Sequence, residues 1–143
     1  MALHYADASA LVKLIVDEPE SRHLRAFLDD GDIVSCDMVR AELPRAVRRA
    51  AAREPGLDLD RLLAVAGQVI DSIALAPIDR DLLDGSGALV EPSLRALDAI
   101  YVAAAVGLLP IDGFVTYDQR QAAGARLAGL RTVSPGIRQE VAP

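Results

Sequence analysis

Cysteine occurs once in this chain of 143 residues, at Cys36. A single thiol cannot close an internal disulfide, which points to a reducing, cytoplasmic setting. Histidine occurs only at His4 and His23, so no zinc ligand set can be assembled within the chain. Any metal site must then be built from oxygen, which favours Mg²⁺ or Mn²⁺. Tryptophan is missing, and two Phe and three Tyr are too few to form an extended base-stacking platform. Long apolar runs are missing too. The longest uncharged run, Ala99 to Ile111, is interrupted by Pro110 and is too short to span a bilayer. The start, MALHYADAS, carries an acid by position 7 and lacks the basic and apolar regions of a signal peptide. Among 15 basic residues, Lys13 is the only lysine. Arginine suits bidentate pairing with phosphate or carboxylate, but a net charge of −6 argues against a surface that coats nucleic acid generally.

What the chain does have is an apolar majority. Hydrophobic residues make up 52% and the mean hydropathy is +0.24, which predicts one well-buried domain over residues 1–143. Residues 3–6 predict a strand, after which Asp7 or Ser9 caps a helix over ALVKLIVDE. A second helix, ESRHLRAFLDDG, is expected to end at Gly31, followed by the strand DIVSC. From Asp37 a helix runs through MVRAELPRAVRRAAAR, with a kink expected near Pro44. DLDRLLAVAGQVIDSI predicts another helix and IALAPI a strand. A short helix from Asp79 is expected to break at DGSGA, and Ser93 to cap LRALDAIYVAAAVGLL. GFVTY predicts a strand, DQRQAAGARLAG a helix and RTVS a last strand before a polar tail. Alternating strands and helices imply parallel strands joined by crossovers, hence a three-layer α/β/α sandwich with a mostly parallel sheet. In such sheets, ligands collect outside the carboxyl ends of the strands.

Four acids stand out in that frame. Asp7 and Asp118 each follow a strand and accompany a small hydroxyl, in Asp7-Ala8-Ser9 and Thr116-Tyr117-Asp118. Asp98 is the only acid between Glu91 and Asp112, in an apolar helix where Leu94, Asp98, Tyr101 and Ala105 share a face. Glu42 is the only acid between Asp37 and Glu54. Each has an ordinary explanation taken singly. Asp7 and Asp118 would cap helices, Glu42 would pair with Arg45 one turn on, and an arginine would neutralise Asp98. Taken together, convergent carboxylates repel one another, and a divalent cation is the usual means of holding them.

The stretches YADASALVKL, VSCDMVRAELPRAVRR, LRALDAIYVAAA and DGFVTYDQRQAAGA, in that order, resemble the PIN-domain family, most closely the VapC-type ribonuclease toxins of toxin–antitoxin pairs. The resemblance spans positions 5 to about 125. It implies a Mg²⁺-dependent endoribonuclease, with Mn²⁺ able to substitute, that hydrolyses RNA to 5′-phosphate and 3′-hydroxyl ends. Carried over position by position, the family's catalytic acids fall on Asp7, Glu42, Asp98 and Asp118. Asp7 and Asp98 are then the principal metal ligands, and Ser9 and Thr116 the supporting or phosphate-contacting hydroxyls. Tyr101 stands where relatives often have His and is expected to be peripheral. The implied partners are RNA, a cognate antitoxin and a second copy of the chain.

Arg45, Arg48, Arg49 and Arg53 form a stripe on the Glu42 helix. It reads as a solvated face, a phosphate track or a docking site for an acidic partner segment. A catalytically silent PIN scaffold that binds RNA or protein is one alternative function. A Mg²⁺-binding receiver-type signalling domain is another. The receiver requires paired acids after the first strand and a late lysine, whereas Asp7 stands alone and Lys13 is early. A haloacid-dehalogenase-type phosphatase requires Asp-x-Asp where this chain has DAS. A P-loop NTPase is excluded because no Gly-Lys-Ser/Thr occurs.

Overall fold

The computed structural model describes residues 1–138; the end of the polar tail, 139–143, lies outside the described residues. Among the described residues, five strands form one sheet: β1 (Ala2–Ala6), β2 (Gly31–Cys36), β3 (Ala74–Ala76), β4 (Gly113–Val115) and β5 (Thr132–Val133). Seven α-helices among the described residues connect and flank them: α1 (Ala8–Leu11), α2 (Ser21–Leu28), α3 (Val39–Arg53), α4 (Leu59–Ser72), α5 (Arg80–Gly87), α6 (Ala96–Gly107) and α7 (Gln119–Leu127). The strand order is β3-β2-β1-β4-β5, and every pairing is parallel. The expected α/β sandwich is therefore present, with its sheet wholly parallel among the described residues. Helix α3 packs on α1 and α4, while α6 packs on α5 and α7.

The first strand lies in the middle of the sheet. After it the chain winds outward through β2 and β3, then returns to the other side of β1 for β4 and β5. The order thus reverses between β1 and β4, and the crevice beyond the carboxyl ends of those strands is where such sheets bind ligands. Burial supports that frame. Tyr5, Ala6, Phe114 and Val115 are fully buried, and the rings of Tyr5 and Phe114 meet at 5.0 Å. On α3, Val39, Leu43 and Val47 recur every four residues and are all buried, so one face of that helix is fixed against the core.

Four local expectations are corrected. The first helix does not run through ALVKLIVDE: α1 covers Ala8–Leu11, and Val12–Leu14 continues as a 3₁₀ turn. Gly31 does not end α2 but opens β2. A Cβ at that position would stand 2.1 Å from the Ala2 carbonyl oxygen, so glycine there admits the neighbouring strand. The DGSG stretch lies inside α5, because isolated glycines lower helix propensity without forbidding it. Ser93 does not cap α6, which begins after Arg95 with no side-chain cap. Leu94 consequently sits outside that helix, and its side chain fills the space over Gly124, where a Cβ would meet Leu94 Cδ1 at 2.5 Å.

Candidate active site

The register of β1 and β4 builds the centre of the site. Ala6 pairs with Val115, so the residues that leave the two strands, Asp7 and Thr116, emerge side by side. The Asp7 backbone N–H donates to the Val115 carbonyl at 3.3 Å. Its carboxylate then receives four donors. Oδ1 accepts from Ser9 Oγ at 2.6 Å and from the Ala10 N–H at 3.1 Å. Oδ2 accepts from Thr116 Oγ1 at 2.5 Å and from Gln121 Nε2 at 2.6 Å. The hydroxyls are themselves oriented. Tyr117 N–H donates to Ser9 Oγ at 2.9 Å and Asp118 N–H donates to Thr116 Oγ1 at 3.1 Å, which leaves each hydroxyl proton free for Asp7.

The other acids reach the same place from three helices. Glu42 lies in the first turn of α3, Asp98 in the first turn of α6, and Asp118 is the N-cap of α7. Asp7 is the N-cap of α1. Four helix N-termini, each carrying the positive end of a peptide dipole, thus surround one cleft of about 320 Å³ lined by Asp7, Glu42, Asp98 and Asp118. The two capping acids do cap: Asp7 holds the Ala10 N–H, and Asp118 Oδ1 holds the N–H groups of Arg120 and Gln121 at 2.9 and 3.1 Å. The ordinary explanation therefore holds for Asp7 and Asp118, and the same two acids also line the cleft.

The fold raises three of these carboxyls, and crowding is among the causes. Burial pushes the Asp7 carboxyl up to about 6, against the pull of its donors from Ser9, Thr116 and Ala10, and Asp118 adds like-charge repulsion. Glu42 is raised by burial and by Asp98 and Asp118, while the Tyr101 hydroxyl and Arg49 pull it down. Asp98 is raised by burial and then by Asp118, opposed by Arg95 and Arg120. Acids from four helices therefore feel one another across the cleft, which is the electrostatic condition a cation relieves. The donors are carboxylate oxygens, suited to a hard divalent ion. Among the described residues, no three Asp, Glu, His or Cys side chains stand close enough to ligate one ion as they are arranged. Mg²⁺ is commonly held through one or two carboxylates, with water and substrate phosphate completing its shell, so separated acids around a cleft fit that ion.

Ser9 also lines the cleft, and Thr116 is buried behind Asp7. Of the arginine stripe, Arg49 and Arg53 line the cleft, whereas Arg45 and Arg48 are exposed outside it. Tyr101 is not peripheral: it is 2% exposed and lines the cleft beside Glu42. The neighbouring Glu42 charge helps raise its phenol, after burial. Its hydroxyl completes no hydrogen bond of ordinary geometry among the described residues. Tyr101 lies three residues after Asp98, one helical turn along, which is the signal that could have placed it at the site. Gln121 was not foreseen. Asp118-x-x-Gln121 matches a capping box, in which Gln would turn back to its own N-cap N–H. Here Thr116 takes that N–H instead, and Gln121 is released to reach Asp7.

The fold and site thus define an α/β protein with a parallel sheet and four carboxylates lining the cleft at its switch point. The chain is a member of the PIN-domain family, whose pattern it matches over residues 5–127. It is 37% identical over 139 residues to Ribonuclease VapC46 of Mycobacterium tuberculosis (strain ATCC 25618 / H37Rv), covering 94% of this chain and 99% of that protein. Ribonuclease VapC47 of M. tuberculosis (strain CDC 1551 / Oshkosh) is 35% identical over 138 residues, covering 92% of this chain and 96% of the relative. Ribonuclease VapC35 of the same strain is 33% identical over 138 residues, with the same coverage.

Proposed function

We propose that this protein is a Mg²⁺-dependent endoribonuclease that acts as the toxin of a toxin–antitoxin pair, with Mn²⁺ able to replace Mg²⁺. The observation that carries the reading is the lining of one cleft by Asp7, Glu42, Asp98 and Asp118. The naming of its relatives as ribonucleases supports it. Asp7 and Asp98 hold the cation. When bound, that ion supplies positive charge for a phosphodiester and acidifies water. Glu42 orients the attacking water and accepts its proton. Asp118 keeps Oδ1 on its helix cap and offers its other oxygen to the site. Ser9 and Thr116 fix the plane of the Asp7 carboxylate, the supporting role that such outer groups play around metal ligands.

The N-termini of α3 and α6, which carry no side-chain cap, favour the anionic phosphate. Arg49, with Arg53 beside it, contacts RNA phosphate or an acidic antitoxin segment, and Arg45 and Arg48 extend that contact outside the cleft. The whole chain, 1–143, acts as a single PIN-like domain that pairs as a homodimer in the cytoplasm. Among the described residues no helix is long and apolar enough to cross a membrane.

The test is an RNA cleavage assay in Mg²⁺ and in EDTA, with wild-type protein and Asp98→Asn. Cleavage by wild type in Mg²⁺ alone, lost in the variant, is the expected result. A folded wild-type protein that binds RNA but cleaves none in Mg²⁺ or Mn²⁺ would instead establish the silent scaffold.

A further inference from the structure

The Asp7 carboxylate has no acceptor site left over. A carboxylate offers about four lone-pair positions, and all four are taken by Ser9, Ala10, Thr116 and Gln121. If Asp7 is to hold a cation, as the proposed function requires, one donor must give way. The structure indicates which. Ala10 N–H belongs to the first turn of α1 and cannot leave without opening the helix. Ser9 Oγ is held by the Tyr117 N–H, and Thr116 Oγ1 by the Asp118 N–H, so both hydroxyls are tied to backbone on the far side. Among the described residues, the Gln121 side chain makes no other hydrogen bond. It lines the cleft, and its flexible stem can swing without moving the backbone.

We infer that Gln121 is a positioning residue whose carboxamide competes with the divalent cation for Asp7 Oδ2, holding Asp7 in place before the ion arrives and withdrawing as it binds. The residue is placed for that exchange. Its backbone N–H rests on Asp118 while its side chain rests on Asp7, so a single residue spans two of the four acids. It is 2% exposed, so the bond to Asp7 meets little competition from water. A charge-assisted hydrogen bond of this kind is stronger than a neutral one, which gives the exchange a cost that the cation must overcome.

The inference rests on the reading of Asp7 as a ligand, and its test separates the two. Mn²⁺ affinity is measured by calorimetry without RNA, for wild type, Gln121→Leu, Gln121→Met and Asp7→Asn, together with the melting temperature of each in EDTA. Removal of the competing donor should tighten Mn²⁺ binding about five-fold or more and lower the metal-free melting temperature. A merely structural glutamine would lower the melting temperature and leave affinity unchanged or weaker. That outcome, in whichever of the two Gln121 variants folds, overturns the inference. If Asp7→Asn binds Mn²⁺ as wild type does, or wild type binds none, the ligand reading falls and the inference falls with it. If Asp7→Asn loses affinity while both Gln121 variants match wild type, only the role of Gln121 is refuted.

Discussion

Replacing Asp7 by Asn should make the metal-free protein more stable while abolishing RNA cleavage. The carboxyl is 2% exposed, and its pKa rises from 3.8 to about 6 in the fold. At 1.36 kcal/mol per unit, keeping it ionised well above pH 6 costs the native state about 3 kcal/mol. The folded protein thus binds that proton more tightly than the unfolded chain, so stability falls as pH rises through 4 to 6 and the full cost stands above that range. Asn carries no charge to desolvate, but its amide nitrogen must face two of the four donors. Gln121 can turn its carboxamide and Thr116 can accept, at a residual cost of about 1 kcal/mol. The net gain is about 2 kcal/mol, or about 5 °C in melting temperature. Thermal melts in EDTA at about pH 8 and about pH 4 check it, since protonation of wild type removes the variant's advantage at the lower pH. A variant less stable than wild type at the higher pH, or one whose advantage is the same at both, would refute the reasoning.

Tyr101→Phe removes the hydroxyl that lowers Glu42, so the acid limb of the pH–rate profile should move to higher pH with little change in melting temperature; an unmoved limb would leave Tyr101 a packing residue. Gly31→Ala drives a Cβ to 2.1 Å from the Ala2 carbonyl, and denaturant melts should show a loss of about 3 kcal/mol or more, as clashes at a backbone approach give. The Arg49→Ala/Arg53→Ala double variant should bind RNA more weakly with a shallower salt dependence, leaving Mn²⁺ affinity intact; an unchanged salt slope in fluorescence anisotropy would exclude these arginines from the phosphate path.

The parts of this fold written in local sequence were the legible ones. Alternation of short apolar runs with longer helical periods gives a parallel sheet, and acids directly after β1 and β4 then fall at one edge. The misreadings do not share one cause. Gly31 looks like a helix terminator and is instead needed for the approach of β1. The glycines of DGSG look like a break, yet both are exposed with open space around them and only weaken a helix that still forms. In the site, Asp7 and Asp118 could be read from their own positions, because a strand end and a cap are local features. Gln121 could not, because its local pattern describes a capping box. Only the three-dimensional neighbour Thr116, by taking the Asp118 N–H, turns it toward a residue 114 positions away. Tyr101 is legible only in part: its spacing from Asp98 points to the cleft, but its nearness to Glu42, on another helix, does not show in the sequence.

The central claim is that Asp7 and Asp98 hold a divalent cation in the cleft that Glu42 and Asp118 also line. A crystal grown with Mn²⁺, with anomalous scattering recorded at the manganese edge, addresses it most directly. The account predicts a peak inside the cleft, bonded to Asp7 and Asp98 and lost in Asp98→Asn. A Mn²⁺-activated enzyme whose only anomalous peaks lie elsewhere on the molecule would contradict it.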